Sequence, residues 1–253
     1  MPHPSNPGKY GWALGHAFCI LYTDMNAPLI QLTSSPDLVE QVYARLLDAI
    51  SEGSLHPGER LTQEDLARRL TVSRQPVLQA LRLLKKDGFV EDAPGRGVQV
   101  TQLDVNWIAR VYQVRGSLDA LAVRLAAERG ARLDPAVMRQ GRKAESSRQV
   151  QAMIQADLSF HRAIYDASGN PLIAQSVDLH WHHLKRIMGA VLQSSQQRQM
   201  VWDEHEAIAQ AIADSDTALA VRLVQEHAQE ASVQLTARLT EQLTQPPKAG
   251  AQA

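Results

Sequence analysis

The apolar periodicity of this 253-residue chain changes once, near Leu103, and that change constrains the fold more than any other feature. Beyond Leu103 the apolar residues recur at helical spacing with almost no strand signal. Val111, Val114, Leu118, Leu121, Ala122, Leu125 and Ala126 mark one helix ending at Gly130, and Asp134-Pro135 starts another. Helical patterns continue to about Leu243, broken at Ser168-Gly-Asn-Pro171 and near Asp214–Asp216. About six antiparallel helices would fill this stretch as a compact bundle. Before Leu103 the pattern is mixed. Ser35-Pro36 opens a helix whose stripe is Leu38, Val39, Val42, Leu46 and Ile50, and Glu52-Gly53 ends it. Thr62 with Asp65 approximates a capping box, and Ser73 caps a third helix with Val77, Ala80, Leu81 and Leu84 inward and Gly88 as its stop. Phe89-Val90-Glu91 and Val98-Gln99-Val100 read as two short strands joined by the tight turn Ala93-Pro-Gly-Arg-Gly97.

The predicted fold is therefore mainly α: a winged helix-turn-helix over residues 35–101, then an all-α antiparallel bundle over 102–243. Residues 1–34 read as a poorly ordered extension, with Met25 an alternative start, and 244–253 as a flexible tail. Lys and Arg number 26 against 27 Asp and Glu, so overall charge does not argue for or against nucleic acid. Any DNA-binding face must come from placement. Cys19 is the single cysteine, which excludes an intramolecular disulfide and fits a reducing cytoplasm. No apolar run approaches the roughly 20 residues of a membrane span, so a cytoplasmic protein without a membrane partner is expected.

In a helix-turn-helix the second helix enters the major groove with its N-terminal residues against base edges. Here that helix begins Ser73-Arg74-Gln75-Pro76-Val77-Leu78-Gln79. Arg74 suits bidentate contact with guanine, and Gln75 or Gln79 suits adenine. Arg96, between Gly95 and Gly97 at the wing tip, suits a phosphate or the minor groove, and Thr62 suits a phosphate. The alternative is a small helical domain with ordinary solvated arginines.

In the second half, Asp157 and His161 lie four residues apart, on one face of a helix. His205 and His227 each fall inside a further helical pattern. One carboxylate and three imidazoles from three helices form a donor set suited to a divalent cation: zinc first, nickel or manganese as alternatives. Against this stands the reading of scattered surface histidines, since the chain has nine. His180-Trp181-His182-His183 is a competing cluster, with His180 and His183 one turn apart, but no carboxylate lies near it at helical spacing. One of its rings is expected to face the bundle cavity.

The segment LTQEDLARRLTVSRQPVLQALRLLKKDGFVEDAPGRGVQV resembles the DNA-binding domain of GntR-superfamily bacterial transcription regulators. The helical half, with Asp157, His161, His205 and His227, resembles the FCD ligand domain of the FadR-like subgroup, and the likeness runs from about Pro36 to about Leu243. The resemblance implies that Arg74 reads the operator, that the wing tip at Gly95–Gly97 contacts a groove, and that the four named residues ligate the metal. It also implies a pocket arginine at Arg115, for which a salt-bridged structural role is the alternative, with Arg186 as a second candidate. Where the family usually carries Thr, Arg and Glu, this chain has Gln75, Leu78 and Gln79, so its operator cannot be copied from relatives.

The expected function is a homodimeric, ligand-responsive regulator, a repressor released from an inverted-repeat operator by a small organic acid bound at the metal. The competing class is a metal-dependent hydrolase. That reading needs a general base, yet Glu204 and Glu206 flank His205 at about 100° on a helix and are expected to point away from the cavity. No Ser/His/Asp order, HExxH or phosphate-cradling loop is present, and an enzyme gives the winged helix no role.

Overall fold

The computed structural model describes residues 36–147, 149–192 and 199–244, which belong to one compact unit. The expectations for 1–34, for Ser35 as a cap and for 245–253 lie outside the described residues. Helix α1 (Pro36–Ser51) buries Val42, Leu46, Leu47 and Ile50. Thr62 then caps α2 (Gln63–Leu70), its hydroxyl accepting from the Asp65 amide at 3.2 Å. Helix α3 (Arg74–Lys86) buries Val77, Ala80, Leu81 and Leu84 against α1. The Ser73 cap is corrected: its backbone is extended, as an N-cap requires, but its side chain makes no capping hydrogen bond. Gly88, at φ +81°, ends the helix as expected, with the Phe89 amide closing onto the Leu84 carbonyl at 2.9 Å.

The wing has three strands rather than two. In addition to β2 (Val90–Asp92) and β3 (Val98–Val100), β1 (Arg60–Leu61) pairs with the other edge of β3, in the order β1-β3-β2. All pairs are antiparallel, with Arg60 opposite Gln99 and Val90 opposite Val100. Two residues are too few to show a period of two, so β1 leaves no sequence signal. Gly97 closes the turn at φ +96°, and a Cβ there would stand 2.8 Å from the Leu61 carbonyl oxygen, so only glycine fits.

Six helices follow among the described residues: α4 (Val105–Glu128), α5 (Pro135–Ser147), α6 (Val150–Ser168), α7 (Pro171–Val191), α8 (Gln199–Ala213) and α9 (Thr217–Thr244). Asp104 caps α4 through the Asn106 amide at 2.9 Å, and Asn170 caps α7 through the Leu172 amide at 3.1 Å, with Pro171 in the first turn. Helix α4 lies at the centre, packed on α9, α6 and α7. Its Ile108, Ala122 and Val123 join Phe160, Leu184, Ile208 and Val224 in a core with no exposure. Helix α5 meets α8 at Gly141, where a Cβ would stand 2.0 Å from the Trp202 ring, so the indole fills the space that a side chain at 141 would occupy.

The two cores meet across α7. Leu179 packs on the winged-helix core, and the His183 ring stacks on Phe89 at 4.0 Å and 11°. His183 Nε2 lies 3.1 Å from the Asp87 carbonyl, which can only accept, so that nitrogen carries the proton. Lys185 bonds Glu52 at 2.9 Å, and Arg186 donates to the Thr101 hydroxyl at 3.0 Å and to the Thr101 carbonyl.

Burial lowers the His183 pKa from 6.5 to about 4, despite the hydrogen bond to Asp87. The unfolded chain therefore takes the proton first as pH falls. The stability this neutral ring contributes is complete above 6.5 and is lost on acidification toward about 4. Urea unfolding at pH 7 and pH 4.5 should show a loss about 2 kcal/mol smaller in His183→Phe than in the wild type. Equal losses in the two proteins would remove His183 as the acid-labile contact.

Candidate metal centre and nucleic-acid interface

The four expected ligands come together. Asp157 and His161 from α6, His205 from α8 and His227 from α9 each offer a donor atom, all within 4.8 Å of one another. Among the described residues this is the one cluster of its kind. The three imidazoles are buried, and Asp157 is partly so. His205 is 0% exposed and neither of its ring nitrogens has a hydrogen-bond partner, although Nε2 lies 3.5 Å from Asp157 Oδ1. A buried ring with two orphaned nitrogens is costly, and a cation would give one of them a partner.

Hydrogen bonds fix the tautomers of the other two rings. Arg115 Nη2 lies 2.6 Å from His161 Nε2, and a guanidinium only donates, so the Nε2 lone pair accepts from Arg115, and a cation would have to displace the guanidinium to use it. The neutral ring then carries its proton on Nδ1, 3.8 Å from the Asp119 carboxylate. His227 Nδ1 lies 2.7 Å from Glu204 Oε2, an acceptor, which leaves the His227 Nε2 lone pair free for the site. Such outer partners orient metal-binding imidazoles. Burial, and next the Arg115 charge, lowers the His161 pKa well below the ordinary value. Burial, and next His227, does the same for His205. Both rings stay neutral. Burial raises the Asp157 pKa, which the nearby Arg115 opposes.

Arg115 is 2% exposed and sits in the middle of this set. Its Nε pairs with Asp119 Oδ2 at 3.2 Å, one helical turn along α4, and its guanidinium carbon lies 4.1 Å from the centre of the Trp181 ring on α7. Tyr165 on α6 donates its hydroxyl to Asp119 Oδ1 at 2.5 Å. Burial works against the Arg115 charge, but Asp119 together with Tyr112, Tyr165 and Asp157 holds the pKa above the ordinary value. A cavity of about 310 Å³ opens beside these groups, lined in part by Arg115, Asp157, Glu204 and His227.

Several sequence readings change. Glu204 does not point away: it lines the cavity and holds His227, because one side of the α8 helix carries both residue 204 and residue 205 toward α9. Glu206 does turn outward, to Arg142 on α5 at 2.8 Å. No imidazole of the 180–183 segment lines that cavity. Trp181 faces Arg115, while His182 and His183 meet the winged helix. Arg186 likewise lies at the domain junction, bonded to Thr101 and lining a separate cleft of about 170 Å³, away from the cavity that Arg115 lines. Asp119 and Tyr165 escaped the sequence reading, and Trp181 and Glu204 were named there without their role at the site, although Arg115 and Asp119 stand at the i, i+4 spacing of a helical ion pair.

On the DNA-reading side, Arg74 and Gln75 are exposed at the start of α3, and Gln79 is half-buried one turn on. Arg74 reaches Glu64 at 3.2 Å, an exposed pair of little worth that a phosphate or base can replace. Thr62 is exposed, its oxygen already accepting from Asp65. Gly95, Arg96 and Gly97 are exposed at the wing tip, where the Arg60 guanidinium holds the Arg96 carbonyl at 3.0 Å. Arg60 braces the wing and leaves the Arg96 side chain to point outward. No helix among the described residues is long and apolar enough to cross a membrane.

Residues 38–100 match the bacterial regulatory proteins of the gntR family, and residues 110–230 match the FCD domain. The uncharacterized HTH-type transcriptional regulator YdhC of Bacillus subtilis is 38% identical over 85 residues, 34% of this chain and 38% of that protein. The Nta operon transcriptional regulator of Aminobacter aminovorans is 30% identical over 161 residues, 62% of this chain and 75% of its own length. The solved structure of E. coli McbR/YncC superposes with a TM-score of 0.68 at 22% identity, covering 80% of this chain and 98% of that one, and so shares its fold. Nothing in these likenesses supports a hydrolase. With both halves matched in the order they occur, the chain belongs to the GntR family of bacterial transcription regulators, joining a helix-turn-helix DNA-binding domain to an FCD ligand-binding domain.

Proposed function

We propose that this regulator, like the FadR-like subgroup it resembles, binds an inverted repeat as a homodimeric repressor and leaves it when a small carboxylic acid enters the FCD cavity. The observation that carries this reading is that one cavity is lined by the Arg115 guanidinium together with Asp157 and His227 of the four-ligand cluster. Asp157, His161, His205 and His227 would hold a divalent cation, zinc first, with nickel or manganese also suited to the set. When bound, the ion supplies Lewis acidity and open positions for a carboxylate oxygen. Arg115 then meets the same carboxylate with its planar fork.

A ligand shifts a conformational equilibrium only by its differential affinity for the two states, so the site must touch an element that DNA binding also uses. Two elements qualify. Helix α4 carries Arg115 and starts at Val105, just after β3 ends at Val100. Helix α7 sets Trp181 on Arg115 and, two and five residues further on, His183 and Arg186 on the winged helix. Movement of Arg115 toward an acid would load both helices at once.

Arg74→Ala should weaken binding to the cognate inverted repeat by about 1–3 kcal/mol and relax preference at one position per half-site. Equal binding of specific and random duplexes by the wild type at physiological salt would defeat the operator reading. Elemental analysis of gently purified protein should find one divalent ion per subunit, and chelation should lower the melting temperature, because an ion bound only by the folded state stabilises it. His205→Ala should lose that ion; an unchanged content would place the metal elsewhere. Arg115→Lys, which keeps a positive charge beside the buried Asp119, should keep DNA binding near wild type while blunting its response to acids, because the planar fork is lost. Full sensitivity in that variant would make the arginine purely structural.

A further inference from the structure

We propose that the acid is a monocarboxylate with a mainly apolar body, such as a medium-chain fatty acid or an aryl-alkyl acid, and not a hydroxy, amino or dicarboxylic acid. This rests on the anion reading of the cavity and narrows it. The cavity measures about 310 Å³, the room of on the order of ten water molecules, far more than a single carboxylate needs. Arg115, Asp157 and His227 line one part of the wall beside the four-residue cluster, and Glu204, Glu230 and Arg238 also line the cavity. Most of the remaining wall is apolar: Met153, Ile154, Met188, Leu192, Trp202 and Leu235. Away from Tyr112, Gln234 and the charged groups, a polar group carried against this wall loses its water without a replacement partner, which disfavours hydroxy and amino acids. A second carboxylate would lie among Glu204 and Glu230, and Arg238, the other cation lining the cavity, already has a partner. Met153 and Met188 are unbranched and adjust to a flexible chain.

The test is calorimetric titration of the metal-loaded, full-length protein with acetate, butyrate, hexanoate and octanoate, and with succinate, lactate and 1-octanol. Affinity should rise roughly three- to fourfold per added methylene until the cavity is filled. Succinate and lactate should bind more weakly than butyrate, and octanol more weakly than octanoate. If succinate or lactate outranks hexanoate, the apolar inference is overturned while the anion reading stands. If octanoate binds no better than octanol, or no acid binds, the anion reading falls and takes this one with it. Met188→Gln, at a half-buried wall position, should flatten the chain-length series without changing the melting temperature of the ligand-free protein. An unaltered slope would put the apolar chain outside this cavity.

Discussion

A buried guanidinium organises the helical domain. Taking such an ion out of water costs several kcal/mol even after relaxation, and removing its partner leaves an uncompensated charge. Arg115 meets that demand from four directions: Asp119 on its own helix at 3.2 Å, His161 on α6 at 2.6 Å, Trp181 on α7 at 4.1 Å, and the Tyr165 hydroxyl, which holds Asp119 in place. The same interactions reach the four-residue cluster of Asp157, His161, His205 and His227. The guanidinium donates to His161 Nε2 and so sets the ring's tautomer, with the proton on Nδ1, while burial first and the nearby positive charge next keep the ring neutral. Stability of the bundle and the state of the cluster thus share one set of contacts.

The helices were legible because an amphipathic stripe of three or more turns repeats its message many times. Their ends were legible where a short polar side chain or a glycine does the capping, as at Asp134, Asn170 and Gly88. The wing was legible from its glycines, but β1 was not, since two residues carry no alternation and their pairing is set by β3. The ligand set was legible by spacing on α6 and by resemblance for the rest, because residues on different helices have no spacing to read. Glu204 was misplaced for a related reason. A 100° step from His205 predicts divergence on an isolated helix, yet a cavity shared by α8 and α9 is wide enough to receive both residues. Arg186 and His183 read as site candidates by chemistry alone; only packing shows that α7 turns them to the DNA-reading domain.

Helix α7 has little freedom on either side. On one it stacks an indole on Arg115, and on the other it stacks an imidazole on Phe89 and bonds Thr101. Interiors packed at such density do not deform continuously, so a change at either face is felt at the other. That makes α7 a shared wall between two cores rather than a spacer.

Helix α5 contributes no ligand, yet it shapes the site through what it lacks. The missing side chain at Gly141 lets the Trp202 ring settle against α5, and the edge of that ring meets His205 at 4.7 Å between centroids. A methyl group at 141 would push the indole toward an imidazole that has no hydrogen bond to resist displacement. In drift among descendants of this gene, position 141 would behave like a ligand position, tolerating almost no replacement, while bearing no atom that any ion or acid could touch. Purifying selection would there be guarding the seat of an indole.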